Sequence, residues 1–150
     1  MKLRTFETSL WLPLPPEEVF PFFADAGNLQ AITPDWLHFR IATPAPIEMR
    51  AGALIDYRLR VRGIPLRWRT RINVWEPPFR FEDEQLRGPY RRWVHEHRFE
   101  AKDGGTLASD HVTYAAPLDF LLHDCWVRPD IERIFAHRQK VLSERFAAQP

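Results

Sequence analysis

Two histidines separated by one residue, His95 and His97, stand between large aromatics in the run Trp93-Val94-His95-Glu96-His97-Arg98-Phe99. At the two-residue period of a strand, Trp93, His95, His97 and Phe99 share one face, while Val94, Glu96 and Arg98 share the other. A buried strand face normally offers plain aliphatics, so imidazoles among aromatics point to an inner surface with polar groups to handle. Three kinds of chemistry fit such a pair. An imidazole oriented by a carboxylate can act as acid or base, drawing a proton from an enolisable carbon or expelling water. Two imidazoles and two carboxylates can hold zinc or iron. The same groups can also satisfy one another and polarise one end of a binding cavity.

The carboxylates must come from strands that pair with this one. Asp103-Gly104 is a two-residue hairpin signal, and it predicts Phe99 opposite Ala108, His97 opposite Asp110, His95 opposite Val112 and Trp93 opposite Tyr114. On the other side, a turn over Arg87 to Arg92 predicts Gln85 opposite Trp93, Asp83 opposite His95 and Phe81 opposite His97. Each histidine thus has a carboxylate across from it, which disfavours the metal reading: no metal and no other cofactor is expected. The candidate acid–base group is Asp83, His95, His97 and Asp110, and the network reading is preferred for it over catalysis.

Upstream, Ile55, Tyr57, Leu59 and Val61 alternate with Asp56, Arg58, Arg60 and Arg62; beyond Gly63-Ile64-Pro65, Leu66, Trp68, Thr70, Ile72 and Val74 alternate with Arg67, Arg69, Arg71 and Asn73. A hairpin closed around Arg62 to Pro65 predicts Leu59 opposite Trp68, Tyr57 opposite Thr70 and Ile55 opposite Ile72. The inner face so assembled has Tyr57, Trp68, Phe79, Phe81, Trp93, Phe99 and Tyr114 at its margins, and Asp83, Gln85, His95, His97 and Asp110 as a polar patch. The outer face carries the arginines, with Glu82, Glu84 and Glu96 beside them. These interleaved glutamates favour a solvated ionic surface over a nucleic-acid footprint, and no nucleic-acid partner is expected.

The remaining elements frame this sheet. Phe6 to Leu14 reads as a strand, Pro15-Pro16 as the opening of a first helix with Glu17 and Glu18 at its positive end, and Asn28 to Ile32 as a second short helix. Pro21 is tolerable in the first helix only because it lies near the start. Leu37 to Ala42 reads as a short strand, Phe79 to Leu86 and Thr106 to Tyr114 as longer ones. A long helix is predicted from about Pro129 to Phe146, with a stripe of Ile131, Ile134, Phe135, Val141, Leu142 and Phe146 to cover the sheet.

Totals bound the rest. The chain has 150 residues, with 21 basic against 20 acidic residues and a formal charge of +1, so bulk charge calls for neither nucleic acid nor an anionic membrane. No apolar run approaches the ~20 residues of a membrane span, no secretion signal opens the chain, and a cytoplasmic protein is expected. The single cysteine, Cys125, excludes an intrachain disulfide and reads as a packed thiol. Residues 1–150 read as one domain.

Four stretches carry a resemblance: Val19-Phe20-Pro21-Phe22-Phe23-Ala24-Asp25 followed by Asn28-Leu29 and Thr33-Pro34; Met49-Arg50-Ala51-Gly52; Trp75-Glu76-Pro77-Pro78-Phe79-Arg80-Phe81; and the histidine strand itself. With them the chain resembles the START-like superfamily, which includes birch-pollen-allergen-type proteins, polyketide cyclase/dehydrase relatives and coenzyme Q-binding START proteins. Pro21 departs from the usual helix former at its position. The resemblance implies an α+β helix-grip fold: a curved antiparallel sheet of about six to seven strands wrapping a long C-terminal helix, two short helices after the first strand, and an internal cavity. It also implies a small hydrophobic or amphipathic ligand of lipid, quinone or polyketide type, with a cyclase/dehydrase-type enzyme as the alternative. The residues placed to meet that ligand are Tyr57, Trp68, Thr70, Phe81, Asp83 and Gln85 with Trp93, His95, His97, Asp110 and Tyr114. Ile134 and Phe135 meet it from the helix. A homodimer is left open.

Overall fold

The computed structural model describes residues 1–147; residues 148–150, the end of the span read as one domain, lie outside the described residues. Strand β1 (Arg4–Leu12) is followed by α1 (Pro16–Ala24), α2 (Asn28–Ala31), a 3-10 turn at Asp35–Leu37 and the two-residue β2 (Arg40–Ile41). Five long strands follow: β3 (Leu54–Val61), β4 (Ile64–Glu76), β5 (Arg80–Arg87), β6 (Arg92–Lys102) and β7 (Gly105–Ala115). The chain ends in α3 (Asp119–Leu122), a π-helical turn at His123–Val127 and the 20-residue α4 (Arg128–Ala147). All strands join one antiparallel seven-stranded sheet in the order β1-β7-β6-β5-β4-β3-β2. The expected short strand from Leu37 is mostly turn, and only Arg40 and Ile41 pair.

Each hairpin obeys its turn chemistry. Asp103 and Gly104 have positive φ, as a two-residue type I′ turn requires, and the β6–β7 register matches the expectation pair for pair. Arg62 and Gly63 make the same turn, with φ of 49° and 80°, so Val61 pairs with Ile64, Leu59 with Leu66, Tyr57 with Trp68 and Ile55 with Thr70. The expected β3–β4 register is therefore wrong by two residues. Its faces survive because a shift of two preserves the side-chain phase.

A bulge corrects a second expectation. Between Ile72 and Val74 the β4–β5 ladder slips, leaving Val74 opposite Glu82 and Trp75 opposite Phe81. The extra residue reverses the phase of β4, so Trp75 rather than Val74 packs on Phe20 and Phe81. Phe79, expected on the inner face, lies in the β4–β5 turn and is exposed, as is Cys125 in the π-helical turn. On the outer face Arg69 bonds Asp56, Arg71 bonds Glu84, and Arg80 and Arg98 share Glu96.

The sheet wraps α4, which presents Ile131, Phe135, Arg138, Leu142 and Phe146 as its buried stripe. The N-terminal half of that stripe packs with Val112, Tyr114 and Trp93, and the C-terminal half packs with Leu12, Phe20, Phe22, Phe99 and Ala108. A third apolar group, Ile55, Tyr57 and Ile72 with Met49 and Phe39 against it, lies under β3 and β4. Where the three meet, at mid-helix, the interior becomes polar.

Candidate functional site

Strand alternation delivers His95 and His97 to the interior side by side, and both are buried, with residue exposures of 6% and 5%. Their rings stack with centroids 3.6 Å apart, and His97 stacks in turn on Phe81 at 3.9 Å. The carboxylates arrive by the expected register, with Asp83 directly across from His95 and Asp110 directly across from His97. The hydrogen bonds nevertheless run diagonally. His95 Nε2 lies 2.7 Å from Asp110 Oδ1, and His97 Nε2 lies 2.7 Å from Asp83 Oδ2. The two stacked rings thus turn their Nε2 edges to opposite neighbours, His95 to β7 and His97 to β5.

Arg138 completes the cluster from α4. Its Nη2 lies 3.4 Å from His97 Nδ1 and 3.5 Å from Asp110 Oδ1. A guanidinium only donates, so this contact favours a bare Nδ1 on His97, with the ring proton on Nε2 toward Asp83. Sequence reasoning missed Arg138 because charged residues are taken as solvent-facing. The signal was present, since position 138 falls in the stripe 131-135-138-142-146, where a core residue belongs.

Burial and charge act differently on each group. Burial pushes the Asp83 carboxyl up from its ordinary value, and the nearby His95 and Arg138 only partly offset this. Burial works against the Asp110 charge too, but Arg138, His95 and His97 together outweigh it and hold that carboxyl well below the usual range. Burial, then repulsion from His95 and Arg138, keeps His97 neutral far below the ordinary imidazole range.

A hollow of about 60 Å³ lies beside the cluster, between α1–α2 and strands β3 to β6. Tyr57, Thr70, Phe81, Asp83 and His97 line it, as does Arg138. Phe22, Phe23, Leu29, Ile32 and Met49 close it from the helical side, residues that the strand pattern alone did not assign to it. Asp110 borders a second, smaller recess with His97 and Arg138. Other expected ligand contacts sit elsewhere. Trp68, Trp93 and Tyr114 pack on one another and on Tyr90, Phe135 packs on His95 and Phe6, and Ile134 is half-buried outside the hollow. Gln85 holds the β5–β6 turn through the Tyr90 backbone.

Ligand atoms of Asp83, His95 and His97 all lie within 4.8 Å of one another. The arrangement suits a metal poorly. The two Nε2 atoms turn to carboxylates on opposite flanking strands rather than toward one point, and the Arg138 cation stands 3.4 Å from His97. No helix among the described residues is long and apolar enough to cross a membrane.

A curved sheet gripping a long helix, with a hollow between the sheet and α1–α2, defines a helix-grip protein of the birch-pollen-allergen-like kind. The chain belongs to the polyketide cyclase/dehydrase and lipid transport family, whose model matches residues 12–140. It is similar in structure to protein TTHA0849 from Thermus thermophilus, at 19% identity and a TM-score of 0.78, over 98% of this chain and 100% of that one. It is similar to the Zhui aromatase/cyclase from Streptomyces sp. R1128, at 16% identity and 0.75, over 97% and 94%. Ginseng major latex-like protein 151 from Panax ginseng aligns at 10% identity and 0.72, over 99% of each chain. No curated protein matches the sequence.

Proposed function

We propose that this protein binds one small hydrophobic or amphipathic molecule in the hollow beside His97. The observation that carries this reading is the make-up of the hollow: a mostly apolar wall with a few polar side chains, among them the clustered Asp83, His97 and Arg138. Its size constrains the occupant. A cavity of roughly 150 Å³ takes benzene, so a hollow of about 60 Å³ admits a ligand only as its walls move. Met49, Leu29 and Phe23 are the half-buried apolar members of the wall and the side chains placed to yield. A quinone, a lipid chain or a polyketide-like ring system would enter by this displacement. A cytoplasmic setting agrees with the reading, as a reducing compartment suits the exposed Cys125 thiol.

The test is native mass spectrometry of protein isolated gently from its own host, alongside Met49→Trp, which fills the hollow. One bound small molecule in the parent protein and none in the variant supports the reading; a bare chain mass in both overturns it. A second reading, cyclase/dehydrase chemistry, is favoured by Asp83, a carboxyl of raised proton affinity on the wall of the hollow. Recovery of the bound molecule unchanged after incubation favours binding alone. Conversion that disappears in Asp83→Asn favours the enzyme.

A further inference from the structure

Mid-way along α4, a cation occupies a position where the helix otherwise presents only apolar side chains. Arg138 is 8% exposed, and its Nε is buried without a hydrogen-bond partner. A guanidinium has five N–H donors. Here its contacts are one long hydrogen bond to His97 Nδ1 at 3.4 Å, an approach of 3.5 Å to Asp110 Oδ1, and the faces of Phe23 and Phe135 at 5.6 and 5.9 Å. The two carboxylates are differently placed, since each already holds an imidazole at 2.7 Å. The unmet polar group of this hollow-lining cluster is therefore a donor, and a buried charged donor is unfavourable until an acceptor reaches it. Arg138 lines both the main hollow and the smaller recess, so an incoming molecule meets it from either side.

We propose that Arg138 recognises an acidic oxygen of the ligand, a carboxylate or an enolate or phenolate, so that the natural occupant is an amphipathic acid. The oxygen sits on the guanidinium edge that carries Nε, where planar fork geometry favours two parallel hydrogen bonds. The apolar part lies among Phe22, Ile55, Tyr57 and Ile72. This inference rests on the small-ligand reading and adds to it a charge and an orientation.

Benzoate and octanoate, each paired with its neutral amide, are suitable probes, followed by amide and arginine Nε–H shifts in NMR titrations of the full chain. Each acid should bind about ten-fold or more tighter than its amide, as a charge-assisted bond implies. The Arg138 Nε–H signal should move with the acids and stay with the amides. In Arg138→Met the preference should vanish while the amides still bind, and Arg138→Lys should keep part of it. Acids and amides binding equally would sink the role of Arg138 and leave the small-ligand reading standing. Failure of all four probes to bind would count against both. Because the Nε–H signal is read in the unaltered protein, the outcome does not depend on either variant folding.

Discussion

Replacing His97 by glutamine should change how stability responds to acid, and the size of the change follows from burial. In the folded protein, burial and then repulsion from His95 and Arg138 keep the ring neutral well below 6.5, whereas the unfolded chain takes up its proton near that value. Between the two, the unfolded state holds one more proton, so stability rises with pH there and falls as acid is added. One proton is worth about 1.4 kcal/mol per pH unit, so His97 should remove about 1.4 kcal/mol between pH 7.5 and 5.5. The groups facing it are Asp83 from β5, Asp110 from β7, His95 on its own strand and Arg138 from α4. Asp83 has the opposite sign: its raised value contributes stability at low pH that is lost as pH rises, so the parent curve is a sum of both.

The difference between parent and variant isolates the histidine. Urea unfolding followed by fluorescence of the six tryptophans, at constant ionic strength, measures it at each pH. Glutamine retains an N–H for Asp83 but loses the stacked ring, so at pH 7.5 the variant should be weaker by roughly 1–3 kcal/mol. At pH 5.5 that gap should narrow by about 1.4 kcal/mol. A gap that stays constant with pH would mean that His97 titrates normally, and the picture of a dry, neutral imidazole would be abandoned.

Asp110→Asn should cost about 3–5 kcal/mol in the same urea assay, because it leaves the buried Arg138 cation without its nearest carboxylate. Leu142→Ala, in the core beneath α1, should lower stability by roughly 2–5 kcal/mol, and a loss below 1 kcal/mol would contradict the packing described here. Gly105→Ala would place a Cβ 2.2 Å from the Leu12 carbonyl oxygen, so the β1–β7 pairing should loosen, visible as faster amide exchange in β1. Unchanged protection there would show that β1 readily moves aside.

Where turn residues are unambiguous, the sequence predicts pairing to the residue. Asp103-Gly104 is the instance, and it places Asp110 beside His97 before any coordinate is known. Arg62-Gly63 forms the same turn but is harder to see, because arginine rarely takes positive φ and Pro65 invites a longer loop. In the structure Pro65 pairs with Arg60 inside the strand. The bulge at Asn73 leaves no compositional mark, so Trp75 could not be placed inward by alternation. The crossing of the histidine–aspartate bonds was illegible for a different reason: register fixes which Cα atoms face each other, while side-chain torsions decide which way the imidazole edges turn. Hidden too was Arg138, a basic residue whose stripe position and charge give contradictory signals.

Strand β1 finds its partner in β7, Arg4 opposite Tyr114 and Leu12 opposite Thr106. During synthesis at ~5–20 residues per second, the first strand therefore waits about 5–20 s for the last one to emerge. Throughout that interval Leu10, Trp11 and Leu12 have no native ladder. A product ending before residue 105 lacks the strand that pairs with β1, and so leaves the β1 edge free to pair with other chains.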